Sequence, residues 1–247
     1  MSVSNGDLFQ LGDHYLLCGD ALEIESVKKL VDNHEISLIL TDVPYGVGYV
    51  ENKPEYNKPK KNWIIANDQT QTEGEYREFT GRWLDTVKPY LTGKNSYYIF
   101  NSDKMLFALR EGLLSANFKF AQLLIWVKNH AVLGRLNYLP QHELIAYGWY
   151  GKHAFQKSQD KTVLFYPKPH KSPLHPTMKP VGLLRNLILN SSRIGEYVYD
   201  PFLGSGSTLI ACEQTKRKCL GIELDPRYCE TVITRYEKVA GRKAVKL

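Results

Sequence analysis

Apolar positions come along this chain in two alternating rhythms. Short, near-continuous runs of β-forming residues occur at Tyr15-Leu16-Leu17-Cys18, Ile36-Ser37-Leu38-Ile39-Leu40-Thr41, Ser96-Tyr97-Tyr98-Ile99-Phe100, Tyr197-Val198-Tyr199 and Cys219-Leu220-Gly221-Ile222. Runs of this kind read as strands buried on both faces. Between them the spacing is helical. Leu22, Val27 and Leu30 share a face over residues 21–31, as do Tyr76, Phe79, Trp83, Leu84 and Val87 over 73–90, and Leu106, Leu109 and Leu113 over 105–115. Further helices are predicted over 181–192, 207–214 and 228–239, and further strands over 118–127 and 141–147. Strands alternating with helices predict an α/β fold, a doubly wound and mostly parallel sheet. Residues 1–13 read as a loose polar lead-in, and the residues after 239 as a basic tail.

Several strands deliver an acid at their carboxyl end. Asp200-Pro201 closes one, since the residue before proline is pushed off helical geometry. There follows Phe202-Leu203-Gly204-Ser205-Gly206, a turn whose two glycines let the backbone fold tightly and approach a ligand. Ser207 is placed to cap the next helix. Glu223 ends the following strand, about twenty residues beyond the turn, where a carboxylate would meet a nucleotide ribose. The full G-x-G-x-x-G fingerprint is absent, because Leu209 stands at the third glycine position. A tight strand-to-helix connection without a ligand is the alternative reading of the turn alone. Asp20 and Asp42 end two more strands. Asp20 also suits the cap of the helix after it.

The 247 residues, 43% of them hydrophobic, fit one large domain with a sizeable core. The formal net charge of +6 suits a polyanionic partner. Cys18, Cys212, Cys219 and Cys229 show no C-x-x-C spacing, so neither a metal site nor a disulfide framework is expected. They read as reduced, buried thiols of a cytoplasmic protein, and neither a leader nor a membrane span is expected. Residues 149–174 interleave Trp149, Tyr150, Phe155, Phe165 and Tyr166 with Lys152, Lys157, Lys161, Lys168 and Lys171. Charge for phosphates beside rings for bases is a nucleic-acid composition, although such rings also serve a core.

Asp200-Pro201-Phe202-Leu203-Gly204-Ser205-Gly206-Ser207-Thr208 resembles the cofactor motif of the amino-type DNA methyltransferases, which use S-adenosylmethionine (SAM). Upstream, Asp42-Val43-Pro44-Tyr45 resembles their Asp-Pro-Pro-Tyr catalytic motif with one substitution. The order, catalytic motif first and cofactor motif last, is that of the family's permuted beta class. His175-Pro176-Thr177-Met178-Lys179-Pro180 is similar to a third motif of the same family. The resemblance spans residues 14–235 and implies a SAM-dependent methyltransferase fold of Rossmann-like type, circularly permuted, over residues 1–247. It also implies that strands 118–127 and 141–147 form a closing antiparallel pair.

What the resemblance implies for the site follows residue by residue. SAM would meet Asp200, Phe202, Gly204, Ser205, Gly206 and Glu223, with Asp20 at the adenine ring. Thr177 and Lys179 would face its methionine end, unless Pro180 makes that motif only a helix start. Asp42 and the carbonyl of Val43 would accept the hydrogens of an exocyclic amino group, with Pro44 and Tyr45 shaping a stacking wall. Asp rather than Ser at position 42 favours N6 of adenine over N4 of cytosine. Double-stranded DNA is the expected partner. Residues 46–68 read as a mobile DNA-contacting lid or as a solvated loop, and target recognition is expected within 128–174. A homodimer and a cognate restriction enzyme are both compatible with the family. Two other readings stand beside an active enzyme. One is a catalytically weak SAM- and DNA-binding protein, suggested by Val43. The other is a dinucleotide dehydrogenase, which would leave the Asp42 motif unexplained.

Overall fold

The computed structural model describes residues 2–47, 69–131, 137–156, 160–168 and 178–247. In chain order the elements are β1 (Leu8–Leu11), β2 (His14–Cys18), α1 (Ile24–Val31), β3 (Ile36–Asp42), α2 (Glu73–Val87), a 3-10 turn (Lys88–Tyr90), β4 (Leu91–Asn101), α3 (Leu106–Ser115), β5 (Phe118–Val127), β6 (His142–Tyr150), β7 (Lys152–His153), β8 (Val163–Phe165), α4 (Val181–Ser191), β9 (Tyr197–Asp200), α5 (Ser207–Thr215), β10 (Lys218–Glu223), α6 (Pro226–Ala240) and β11 (Val245–Lys246). The strands form one sheet in the order β11-β1-β2-β10-β9-β3-β4-β6-β5-β8, with β7 beside β4.

The five central strands β2, β10, β9, β3 and β4 are all parallel. From β9 the chain crosses through α5 to β10 on one side. From β3 it crosses through α2 to β4 on the other. Strand order therefore reverses between β9 and β3, and a crevice opens at their carboxyl ends. Side chains on the central strands alternate between two cores. Leu38, Leu40, Tyr98 and Phe100 pack with α4, α5 and α6, whereas Ile36, Ile39, Tyr97 and Ile99 pack with α1, α2 and α3. The result is a three-layer αβα arrangement. β6 lies antiparallel to both β4 and β5, so the expected antiparallel pair forms.

Both termini join the sheet, contrary to their reading as lead-in and tail. β1 pairs antiparallel with β2, and β11 with β1. Phe9 and Leu11 explain this, because both are fully buried. Three expected helix starts also differ. α1 begins at Ile24, and Asp20 instead accepts a hydrogen bond from the Leu22 N–H at 2.9 Å. α3, predicted from residue 105, starts at Leu106 with Met105 at its cap and no side-chain cap bond. α5 is capped by Gly206 rather than Ser207. Gly206 has φ +79°, a left-handed conformation in which a serine cap would be strained. α2 carries a full capping box between Thr72 and Glu75.

Most of the expected lid, residues 48–68, lies outside the described residues, as do Thr177 and residues 132–136, 157–159 and 169–176.

Candidate active site

Strand ends β2, β10, β9 and β3 open into one cleft. Asp20, Glu223, Asp200 and Asp42 all line it, with Phe202, Gly204, Ser205, Val43, Pro44, Tyr45 and Lys179. The structure thus brings together every described residue expected at the site except Gly206, which sits at the helix start behind it. The two motifs lie about 160 residues apart in the chain and meet because β3 pairs with β9. Thr41 Oγ1 ties them, donating to Asp200 Oδ1 at 2.7 Å.

At one end of the cleft stand Asp20 and Glu223, brought side by side because Cys18 and Glu223 are register partners. Glu223 accepts from the Gly204 N–H at 2.7 Å and from the Asp225 N–H at 2.9 Å, one on each carboxylate oxygen. The N–H of Gly206 goes to the Leu203 carbonyl. The amides of Gly204 and Gly206 in the glycine turn are thus engaged within the protein. Burial pushes the Glu223 carboxyl up to about 7, against the pull of those two amides. Burial likewise lifts Asp200 to about 6, although Thr208, Thr41 and the Phe202 N–H all favour its charged form. Phe202 forms a wall, packed on Phe79 and edge-on to Trp83. A Cβ at Gly221 would lie 2.5 Å from Leu203 Cδ2, so a larger residue there would have to displace the Leu203 side chain.

The other end holds a chain of alternating charges. Lys128 Nζ meets Glu143 Oε1 at 2.7 Å, and Lys179 Nζ lies 3.1 Å from Glu143 Oε2 and 2.5 Å from Asp42 Oδ2. The Tyr45 hydroxyl lies 2.9 Å from Asp42 Oδ1 and 3.1 Å from Glu143 Oε2, and with one proton it donates to one of them at a time. Lys179, expected at the cofactor's methionine end, lines the cleft and meets two carboxylates of the protein, since an ammonium that is only 6% exposed requires charged partners. Burial raises the Asp42 carboxyl, with Glu143 adding and Lys179 opposing. For Glu143 burial acts upward too, but Lys179 and Lys128 outweigh it and hold the carboxyl at about 2.

Glu143 and Lys128 escaped the motif reading. Their signal was a charged residue at each facing end of two apolar strands, just where Val127 pairs with His142. The 149–174 segment divides. β6 runs antiparallel to β4, so Trp149, Tyr150, Lys152 and His153 lie at the sheet end opposite Asp42. Tyr150 packs on Phe118, and Phe155 on Tyr147. β8 then returns parallel to β5, bringing Phe165 and the cleft-lining Lys168 back to the Asp42 end. The four cysteines are buried and unbridged. Among the described residues no side-chain group could hold a metal, and no helix is long and apolar enough to cross a membrane.

A doubly wound sheet with acids at neighbouring strand tips and a glycine turn at the strand-order reversal is a Rossmann-like fold. The profile of the N6/N4 DNA methylase family (N6_N4_Mtase) matches residues 36–234, and the chain belongs to that family. It is a DNA methyltransferase that uses SAM. Among curated relatives, it is 26% identical to the type II methyltransferase M.HpaI of Haemophilus parainfluenzae, over 91% of this chain and 74% of the relative. With M.HinfI of Haemophilus influenzae the identity is 25%, over 91% and 68%. Solved structures share the fold. The M1.HpyAVI–SAM complex superposes with a TM-score of 0.65 at 23% identity, covering 89% of this chain and 98% of that one. PvuII DNA methyltransferase, described as cytosine-N4-specific, superposes with a TM-score of 0.71 at 16% identity, covering 93% and 91%.

The residues present fit SAM. Its adenosine part offers hydroxyl and amino donors, and the matching end of the cleft presents two acceptors, Asp20 and Glu223. Asp20 lies before residue 36, where the family match begins, and its strand end stands beside that of Glu223.

Proposed function

We propose that this chain methylates the exocyclic N6 of adenine in double-stranded DNA, using one methyltransferase domain over residues 1–247. The observation that carries this reading is the Asp42 carboxylate at the tip of β3, in one cleft with Glu223 and Asp20. SAM, when bound, supplies an electrophilic methyl group on its sulfonium.

Glu223 and Asp20 would hold the adenosine part, with Phe202 a wall of the same cleft. Asp42 and the Val43 carbonyl accept the hydrogens of the target amino group. Its lone pair is delocalised into the ring, and two acceptors favour the sp³ character that attack requires. The nitrogen that gains the methyl becomes cationic; both acceptors stabilise that charge, and the Asp42 carboxylate takes up its proton. Asp42 has a raised proton affinity, which suits that role. Orientation supplies the remainder, since Asp42 and the acids proposed for the cofactor stand at neighbouring strand ends of one cleft. The base must leave the helix to reach Asp42, and Tyr45 offers a ring beside it.

An aspartate at position 42, where N4-cytosine members of this family more often carry serine, supports adenine. Exposed Tyr138 and Phe165, with Lys168, supply rings and charge near the mouth for DNA. The test is transfer of tritiated methyl from SAM to DNA followed by identification of the modified nucleoside. N6-methyladenine is expected. N4-methylcytosine would reverse the choice of base, and no transfer to any DNA would favour a SAM- and DNA-binding protein.

A further inference from the structure

Methyl transfer as proposed uses Asp42, yet Asp42 does not stand alone. Its carboxylate is held from both sides, by Tyr45 and by Lys179, and Lys179 is shared with Glu143. We propose that Glu143, seated by Lys128, is a positioning residue for methyl transfer: by sharing the Lys179 ammonium it keeps the Asp42 carboxylate aimed into the cleft and only partly neutralised. This rests on the reading of Asp42 as the amino-group acceptor.

The geometry makes each member depend on the next. Glu143 uses Oε1 for Lys128 and Oε2 for Lys179, so it bridges the two ammoniums. Lys179 is also confined by aromatic faces, with Nζ 5.3 Å from the Phe100 ring centroid and 5.7 Å from that of Tyr45. Lys128 Nζ lies 5.2 Å over the Trp126 ring. Two cations and two anions sum to zero, and a buried array of this kind contributes little to stability compared with apolar packing. Its chemical consequence is larger. An acceptor fully paired with one ammonium is a weak acceptor for an amino hydrogen, and dividing that ammonium between two carboxylates restores acceptor strength.

Among the described residues, the ionisable groups facing Asp42 are Lys179 from the segment before α4, Glu143 from β6, Tyr45 from its own loop and Asp200 from β9. Lys128 at the end of β5 faces Glu143. Removing Glu143 leaves Lys179 wholly to Asp42 and removes a neighbouring negative charge, so Asp42 becomes harder to protonate. Removing Lys128 frees Glu143 to draw Lys179 away, so Asp42 becomes easier to protonate. The two substitutions therefore act in opposite directions.

Titration of the Asp42 carboxyl by carbon-13 NMR, assigned with Asp42→Asn, would read this directly in the full-length protein. Glu143→Gln should move its midpoint to lower pH and Lys128→Met to higher pH. In single-turnover methylation the acidic limb of the pH profile should follow the same two shifts. The plateau in Glu143→Gln should fall about tenfold, the loss expected of one charge-assisted contact, with SAM affinity unchanged. A midpoint that stays put, moves the same way in both variants, or changes only with weakened SAM binding would overturn the proposal. Should Glu143→Gln not fold, the upward shift in Lys128→Met still decides. If wild type methylates no DNA, the adenine reading falls while the titration still judges the positioning of Asp42.

Discussion

Valine follows Asp42 where proline is the family's usual residue, and its side chain has a place to go. Val43 is buried in the same apolar cluster as Tyr76 and Phe79. Its carbonyl is available as proline's would be, and Pro44 already restricts it to extended geometry. Val43→Pro should therefore keep or raise the single-turnover rate, while lowering thermal stability by about 1 kcal/mol through lost packing. Asp42→Ala should nearly abolish transfer with SAM binding retained. A wild type that transfers nothing while Val43→Pro does would mark a degenerate enzyme. At the cofactor end, Asp20→Ala and Glu223→Ala should each weaken SAM binding, measured by calorimetric titration. Loss of a charge-assisted bond is worth about 1.5–3 kcal/mol, roughly tenfold to a hundredfold in affinity. The Glu223 variant should lose more, because its carboxylate also anchors the Gly204 turn. Unchanged affinity in both would remove these residues from the site.

Strand direction decides which part of the aromatic and basic segment can reach DNA. β6 carries the chain from Glu143 at the cleft to Tyr150, seven residues on and about 20 Å away at strand rise. Rings and lysines just beyond it serve the sheet's far edge, whereas β8 brings Phe165 and Lys168 back. Double substitution of Lys152 and His153 by Ala should leave DNA affinity and its salt dependence unaltered. Tyr138→Ala with Phe165→Ala should weaken DNA binding, and Lys168→Ala should flatten the salt dependence because one fewer counterion is released. Fluorescence anisotropy across a salt series reads all three. An equal effect from Lys152 and His153 would mean that DNA wraps to the far side of the sheet.

Across the whole molecule, the acids at the strand tips set a pH dependence for the ligand-free fold. Glu223 and Asp200 titrate near 7 and 6 when folded, above their ordinary 4.5 and 3.8. A raised carboxyl pKa means the folded state binds the proton more tightly. Stability is then fully present below about pH 4 and is lost as pH rises through 6 and 7. Each group accounts for about 1–3 kcal/mol of that decline. Glu143, held at about 2, acts in the opposite sense but only in stronger acid. Melting temperature of the ligand-free protein should fall from pH 5 to pH 8, and Glu223→Gln should remove its share of the slope whatever its effect on absolute stability. SAM should flatten the slope as well, since donors on the ligand favour the ionised carboxylates. A flat profile in the ligand-free wild type would mean that water reaches these acids.

What the chain itself determined was local. Buried strands announced themselves by continuous apolar runs, and helices by their 3.6-residue spacing. Strand-end acids stood beside glycine and proline punctuation, so Asp42, Asp200, Glu223 and Asp20 were visible as candidates, and the order of the motifs indicated the permutation. Only the folded sheet decided which of these meet. Pairing of β3 with β9 joins residues about 160 apart, and the register of β2 with β10 sets Asp20 beside Glu223, as the motif order had implied. Hairpin formation by β1 depended on β2 and β11 as partners, because a strand edge gains its hydrogen bonds only from a neighbour. Lys179 turned to Asp42, and Glu143 and Lys128 entered the site, because a buried charge follows the nearest opposite charge in space rather than in sequence.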